Sequence, residues 1–114
     1  MNRILAKHGG TLVESVEVAD TFLRRMAGLM LRKPLPPGHA LLIVPCGSVH
    51  TCFMRFCLDL VFLDRDQRVV RICRNVSPFR FASGGRHAAC VLELASGWLA
   101  ADALGTGDTV TLDG

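Results

Sequence analysis

The sequence predicts an α+β domain that is mainly β, a small antiparallel barrel or sandwich of about seven or eight strands with two short helices. The apolar runs are short and are separated by residues that form turns. Only two segments show the apolar spacing that is typical of helices. With 114 residues, 50% of them apolar and 20% charged, the chain fits one globular domain, residues 1–114.

The first elements are a hairpin and a helix. Residues 3–7 and 11–18 are predicted strands, because apolar residues dominate the first and recur through the second on either side of Gly9–Gly10. A helix is predicted for residues 20–27, whose apolar side chains recur at helical spacing. Gly28 can end this helix in a left-handed conformation.

The middle of the chain predicts a central strand and a turn. Three prolines exclude regular structure in residues 33–39. Residues 40–44 form a short apolar strand that Pro45 closes. Residues 53–63 are apolar on both faces, which is typical of a strand buried on both sides, and residues 64–67 are polar and form a turn.

The C-terminal half continues this pattern. Residues 68–74 are the returning strand, and residues 77–86 are predicted to be an irregular loop. Residues 88–94 form another buried strand. A second short helix runs from a cap at Ser96 to Gly105, and residues 109–112 form the last strand.

Two acids interrupt apolar strands: Asp59 in CLDLVFL and Glu93 in CVLELA. A buried carboxylate costs several kcal/mol unless it finds a partner. If the two strands are neighbours, the acids can converge in one polar cleft that binds a ligand. The same acids can instead form structural pairs with arginines, or serve as a general acid or base. The arginines considered as partners are Arg24, Arg25, Arg32 and Arg55.

The cysteines do not predict a metal site. Cys46, His50, Cys52 and Cys57 have ligand types that zinc accepts, but their spacing is not that of a zinc knuckle. In one strand Cys57 falls on the face opposite His50 and Cys52. The odd total of 5 cysteines predicts reduced thiols that pack as small hydrophobes, and we expect no metal and no cofactor.

Charge and hydropathy exclude several classes of protein. The net charge of +3 is mild, and the basic residues lack the interleaved aromatics of nucleic-acid-binding proteins, which argues against that function. Seven arginines do lie between Arg55 and Arg86, and a solvated sheet face is the favoured interpretation, with a polyanion-binding face as the alternative. No apolar run reaches the roughly 18 residues of a membrane span. The start, MNRILAKHGG, does not read as a secretory signal, so a cytoplasmic location is expected. We also expect a monomer.

Four motifs occur in order along nearly the whole chain: Arg24-x3-Gly28-Leu29-Met30-x-Arg32, SVHTCFMRFCLDLVFLDRDQRVV, VLEL-x2-G and Gly107-Asp108. Together they resemble the family called domain of unknown function 192. The resemblance implies a compact β-rich barrel or sandwich with short helices and no established activity, and many relatives are exported. The family motif falls on Arg24, Gly28, Leu29, Met30, Met54, Asp59, Asp64, Glu93 and Gly97. The chain departs from the family at Cys52 and Cys57.

The function favoured by the sequence is a small non-enzymatic binding or accessory domain with a polar cleft around Asp59 and Glu93. The partner is an unidentified small ligand or a protein. An enzyme that uses either acid in acid–base chemistry, and a module that pairs through its sheet edge, are the alternatives. The candidate cleft residues are Asp59, Glu93, Met54, Arg24, Met30 and His50.

Overall fold

The protein is mainly β. The computed structural model describes residues 3–7, 10–19, 39–44, 48–50, 57–77, 80–97 and 103–113. Within these ranges lie nine strands: β1 Arg3–Lys7, β2 Gly10–Ala19, β3 His39–Ile43, β4 Ser48–His50, β5 Leu58–Leu63, β6 Val69–Val76, β7 Phe81–Ser83, β8 Cys90–Ala95 and β9 Thr111–Asp113. They form a seven-stranded sheet in the order β6-β5-β8-β3-β2-β1-β9 and a two-stranded sheet of β4 and β7.

The large sheet is antiparallel except at one pair of strands. The predicted hairpin of β1 and β2 is confirmed, with Lys7 opposite Gly10. β2 and β3 pair in parallel, from Ser15 opposite His39 to Ala19 opposite Ile43. A parallel pair needs a crossover connection of about a dozen residues or more, and residues 20–38 supply that length. The antiparallel sheet predicted from the sequence is therefore confirmed for every pair of the large sheet except this one.

The central strands β5 and β8 are buried on both faces of the sheet. All six residues of β5 are buried, and so are the first five of β8. Side chains alternate between the faces, so two apolar clusters form. The first, called the Leu92 face, consists of Val16, Ala40, Leu42, Val61, Leu63, Val69, Cys90, Leu92, Leu94, Leu104 and Val110. The second, called the Leu60 face, consists of Leu41, Ile43, Leu58, Leu60, Phe62, Ala82 and Val91.

Hydrogen bonds link the start of β6 to the segment that precedes β9. The Val69 amide donates to the Asp108 carbonyl at 2.7 Å, and the Gly107 amide donates to the Val69 carbonyl at 2.8 Å. The Val110 amide donates to the Gln67 carbonyl at 3.0 Å. The two outer strands of the large sheet are therefore brought together at one end.

The predicted turn at residues 64–67 is confirmed. One oxygen of Asp64, Oδ1, accepts hydrogen bonds from the amides of Asp66 at 2.8 Å and Arg68 at 2.9 Å. These backbone donors, with that of Arg68 foremost, lower the pKa of the Asp64 carboxyl. Gln67 takes a left-handed conformation, with φ of 61°. The polar residues of the turn thus fix the β5–β6 hairpin.

The segment from 77 to 86 differs from its prediction. Within it, Phe81–Ser83 form strand β7, which pairs with β4 through Ser48, Val49 and His50. Ala82 packs in the Leu60 face, so this small sheet lies against that face. The segment FRFA contains none of the residues that favour turns, and strand β7 within it is stabilised by pairing with β4.

Some predicted elements fall outside the described residues. These are the helix 20–27, residues 98–102 of the second helix, and residues 53–56 of the central strand, and for them the sequence prediction stands as made. Ser96 and Gly97, where the second helix was expected to begin, form a turn. Among the described residues no helix is long and apolar enough to cross a membrane.

Gly84 packs directly on the core, and we expect Gly84→Ala to destabilise the fold. A Cβ at this position would lie 2.5 Å from Phe62 Cγ and 2.7 Å from Ala88 Cβ. Overpacking of this kind costs about 1–3 kcal/mol. Urea unfolding of the variant and the parent measures the loss.

Gly105→Ala is the matched control for Gly84→Ala. Its Cβ would have Asp108 Oδ2 as its nearest neighbour, at an ordinary 3.8 Å. We expect its unfolding midpoint to equal or exceed that of the parent. Equal losses in both variants would show that contact with Phe62 is not what requires glycine at position 84.

Candidate functional site

The two buried acids lie on opposite faces of the sheet. β5 and β8 are adjacent and antiparallel, with Asp59 opposite Leu94 and Leu60 opposite Glu93. Residues directly opposite each other share a face, and successive residues alternate. Asp59 is therefore on the side of Leu94, in the Leu92 face, whereas Glu93 belongs to the Leu60 face. The predicted single cleft around both carboxylates is wrong, although their strands are neighbours as expected.

Asp59 is a structural clamp. Its Oδ1 accepts a hydrogen bond from the backbone N–H of Asn75 at 2.8 Å, and its Oδ2 accepts one from the backbone N–H of Gly97 at 3.1 Å. Arg74 Nη1 lies 3.7 Å from Oδ2, and the Asp59 side chain is only 3% exposed. The structural pairing of an acid with an arginine is thus present, with Arg74 as the partner. Arg24, Arg25, Arg32 and Arg55, the arginines considered from the sequence, lie outside the described residues.

The clamp holds two residues that have left-handed backbones. Asn75 has φ of 53° and Gly97 has φ of 81°. The Ser96 hydroxyl donates to Asn75 Oδ1 at 2.8 Å, which joins the same two segments a second time. Asparagine and glycine tolerate this conformation best. Asp59 thus fixes the end of β6 against the turn that follows β8.

Glu93 is a buried acid whose neighbours across the sheet, among the described residues, are apolar. Its exposure is 0%, and its neighbours across the sheet are Leu60 on β5 and Leu41 on β3. Neither carboxyl oxygen has a hydrogen-bond partner among the described residues. Burial raises the pKa of Glu93 to about 8, so the carboxyl is mostly protonated at neutral pH. The uncharged form explains how an acid persists in this apolar face.

A cleft of about 560 Å³ opens between β6 and β7 on the side of the Leu60 face. This volume is typical of sites for small organic molecules. Among the described residues, nine line it: Arg71, Cys73, Asn75, Val76, Ser77, Arg80, Phe81, Ala82 and Ser83. Cys73, Val76 and Ala82 also pack on the Leu60 face, so they give the cleft an apolar floor. The remaining polar and charged residues surround this floor.

The charge of the cleft lining is positive. Arg71 and Arg80 are its charged residues, and none of the nine lining residues is an acid. Arg71 Nη1 donates to the Ser83 carbonyl at 2.8 Å, and Arg80 Nε lies 3.4 Å from Ser77 Oγ. A guanidinium has five N–H donors, so a single hydrogen bond leaves Arg71 able to bind an anion. Guanidinium, hydroxyl and amide groups are donor types that can bind carboxylate or phosphate oxygens.

Both acids are connected to this cleft without lining it. Asp59 binds the amide of Asn75, which is one of the lining residues. Glu93, Leu60 and Cys73 form one row across β8, β5 and β6, and Cys73 lines the cleft. Two strand spacings place the backbone of Glu93 roughly 10 Å from that of Cys73.

The other predicted site residues divide into two groups. Met54, Arg24 and Met30 lie outside the described residues. His50 lies in β4, where its backbone is opposite Phe81, a cleft residue. Arg71, Arg80 and Phe81 were not predicted as site residues from the sequence. The excess of arginines between positions 55 and 86 was the signal that could have indicated them.

None of the three cysteines within the described residues is in a disulfide. These are Cys57, Cys73 and Cys90, whereas Cys46 and Cys52 lie outside those residues. In the described part of the chain, no three His, Cys, Asp or Glu residues are grouped so that they could hold a metal ion. Of the three thiols, Cys73 is the one that lines the cleft.

The protein is thus a small, mainly β domain with a cleft between β6 and β7. Its sequence shows the family to which it belongs. Domain of unknown function 192 (DUF192), described as an uncharacterized ACR, matches residues 4–112. The chain therefore belongs to this family, and the resemblance seen in the motifs is confirmed. A UPF0127 protein of Pyrococcus furiosus is 35% identical over 99 residues, which cover 82% of each chain. Another, from Pyrococcus abyssi, is 37% identical over 84 residues and 68% of each chain.

Two solved structures share this fold. A protein of unknown function from Novosphingobium aromaticivorans has a TM-score of 0.81 at 24% identity, over 97% of this chain and 84% of that chain. A Sinorhizobium meliloti protein, whose given name proposes that it is a transcription regulator, has a TM-score of 0.78 at 26% identity, over 97% of this chain and 92% of its own. These relatives leave the specific function of the family unestablished.

We expect Asp59→Asn to destabilise the protein by about 1–3 kcal/mol, because a part-buried backbone N–H loses an acceptor and the ion pair between Arg74 and Asp59 is lost. Asp66→Asn is the matched control, since Asp66 is exposed in the turn and should change stability by less than about 0.5 kcal/mol. Urea unfolding at neutral pH measures both. An Asp59→Asn midpoint equal to that of the parent would contradict the clamp.

We expect Glu93 to make stability fall as pH rises from about 5 to about 8. In the unfolded chain its pKa returns to the ordinary 4.5, whereas the folded value is about 8. Between these values the unfolded state releases a proton that the folded state keeps, at a cost of up to about 1.4 kcal/mol per pH unit. The contribution of Glu93 is therefore fully present below pH 4.5 and is lost as pH rises through 8.

Glu93→Gln tests this pH dependence. The amide has nearly the same shape and cannot ionise, so the stability of the variant should lack the downward slope and exceed that of the parent above pH 7. Urea unfolding of both proteins at pH 5, 6, 7 and 8 gives the two profiles. Parallel profiles would mean that Glu93 is ionised in the folded protein.

Proposed function

We propose that this protein is a non-catalytic binding domain that takes a small organic anion in the cleft between β6 and β7. The observation that carries the proposal is the pair Arg71 and Arg80 in a cleft of about 560 Å³, with no acid among the described residues that line it. Guanidinium groups bind carboxylate and phosphate oxygens in a planar, two-point geometry. This proposal agrees with the function predicted from the sequence, a non-enzymatic binding domain. It differs in the site, which we propose to be this cleft and not a cleft around the two acids.

The polar lining of the cleft suits an anion with several oxygens. Ser77, Ser83 and Asn75 offer hydroxyl and amide groups close to the two guanidinium groups. The floor of Cys73 and Val76 suits an apolar portion of the same ligand. Ligand sites in proteins commonly combine an apolar surface with a few polar groups that fix orientation.

The surroundings of the two acids favour binding over catalysis. Asp59 accepts two backbone hydrogen bonds and lies beside Arg74, so both of its carboxyl oxygens already have partners within the fold. Glu93 has 0% exposure, which leaves it out of contact with a solute in the cleft. A general base must lie within hydrogen-bond reach of the proton it removes. The enzymatic alternative based on Asp59 or Glu93 therefore has less support.

The alternative of partner binding through a sheet edge also has less support. β6 is one edge of the large sheet, and its start is occupied by hydrogen bonds to residues 107 and 108. Near its other end, Asn75 departs from extended geometry and its amide is bound by Asp59. Arg71 and Arg74 add charge along this strand, which is a common protection of edges against pairing.

We extend the proposal to the architecture and the cellular location. The bonds between Val69 and residues 107–108 support closure of the large sheet into a barrel, with the Leu92 face as its interior. The odd number of cysteines in the chain, and the lack of a disulfide at the described Cys57, Cys73 and Cys90, support a reducing compartment, the cytoplasm. A monomer is the proposed state of assembly.

Titration with small anions tests the function. Inorganic phosphate and acetate are added to the full chain labelled with 15N, with tetramethylammonium as the cationic control. We expect one of the anions to shift the amide resonances of the cleft residues in a saturable way. Arg71→Gln and Arg80→Gln should each weaken this binding at least about fivefold, because each removes a charge-assisted hydrogen-bond donor.

Arg65→Gln is the matched control for these two variants, because Arg65 is exposed in the 64–67 turn and does not line the cleft. It changes the net charge by the same amount and should leave the affinity nearly unchanged. Equal weakening in all three variants would indicate a diffuse charge effect. The absence of saturable shifts with both anions would contradict the proposed function itself.

A further inference from the structure

Phe81 is an exposed aromatic residue on the lining of the cleft. Its exposure is 72%, and it is the exposed large hydrophobic residue of the described part of the chain. It follows Arg80 in sequence and lines the same cleft as Arg71. The next residue, Ala82, is buried in the Leu60 face, so β7 is anchored while Phe81 stays available to solvent. A single exposed aromatic residue is ordinary on a protein surface. This one lines the same cleft as two arginines, whose guanidinium groups are attracted to aromatic faces.

We propose that the ligand of this cleft carries an aromatic ring together with its anionic group, so that the ring stacks on Phe81 while the anion binds Arg71 and Arg80. This proposal rests on the proposed function and narrows its ligand class to small aryl or heterocyclic anions. Aromatic pairs in offset or edge-to-face contact gain affinity beyond the burial of their area. A ring that covers Phe81 would also remove its exposed surface from water.

The dimensions and chemistry of the cleft agree with such a ligand. A cavity of about 150 Å³ holds a benzene ring, so about 560 Å³ holds one or two rings with a charged substituent. The floor of Cys73 and Val76 can contact the ring edge. An arginine guanidinium also stacks on aromatic faces, so Arg80 can contact the ring as well as the anion. A fatty chain or a simple inorganic ion would leave one of these features unused.

The surroundings of Phe81 keep it in place. β7 pairs with β4 along all three of its residues, with Phe81 opposite His50. The Ser83 carbonyl accepts a hydrogen bond from Arg71, which ties β7 to β6 across the cleft. Phe81 and Arg71 are thus carried by strands that are hydrogen-bonded to neighbouring strands, and Arg80 directly precedes β7. Rigid support of this kind reduces the entropy lost on binding.

The test compares probes that differ only by the ring. The full chain is titrated with phenyl phosphate and methyl phosphate, and with benzoate and acetate, by calorimetry and by amide chemical shifts. We expect the aromatic member of at least one pair to bind about three- to tenfold more tightly than its partner. In Phe81→Ala the ratio of the two affinities should fall to about one. Phe81→Leu, which keeps apolar area without a ring, should give an intermediate ratio.

The outcomes separate this inference from the function on which it rests. If both members of each pair bind the parent equally, the aromatic class is overturned while anion binding stands. If the ratio persists in Phe81→Ala, the ring binds elsewhere and the inference fails. If no probe binds, this proposal and the proposed function are both overturned. Because Phe81 is exposed, circular dichroism melting of Phe81→Ala should match the parent and thereby verify its fold.

Discussion

The arrangement of β5, β6 and β8 depends on the hydrogen bonds and the ion pair that the Asp59 carboxylate makes. It accepts hydrogen bonds from the amides of Asn75 and Gly97 and lies 3.7 Å from Arg74 Nη1. A single side chain on the central strand thereby fixes the left-handed end of β6 and the turn after β8. Because Asn75 also lines the cleft, the same interaction shapes the wall of the candidate site. The acid that breaks the apolar pattern of β5 therefore serves the fold first and the site indirectly.

The two buried acids show that similar sequence contexts lead to different physical states. Asp59 is surrounded by donors and a positive charge, which compensate the cost of burying a carboxylate. Glu93 lies between Leu41 and Leu60 and takes its neutral form instead, with its pKa raised to about 8. The site chemistry is separate from both, because the charges of the cleft come from Arg71 and Arg80.

Local patterns predicted most strands of the described chain. The apolar runs of β5 and β8, the 64–67 turn and the hairpin at Gly10 were all readable from residue order. The shared cleft was wrong because the face of an acid depends on register, and a shift of one residue moves a side chain to the other face. β7 was missed because its conformation depends on pairing with β4. The cleft could not be predicted, since it forms where β6 and β7 approach and neither strand alone indicates it.

Anomalous diffraction from crystals soaked in selenate would test the central claim, that the Arg-lined cleft binds anions, most directly. Selenate is a tetrahedral oxyanion, and its selenium atom can be located without assumptions about the ligand. The account predicts an anomalous peak in the cleft, with oxygens within hydrogen-bond distance of Arg71 and Arg80. A map with peaks at other arginines, such as Arg65 or Arg86, and none in the cleft would contradict it.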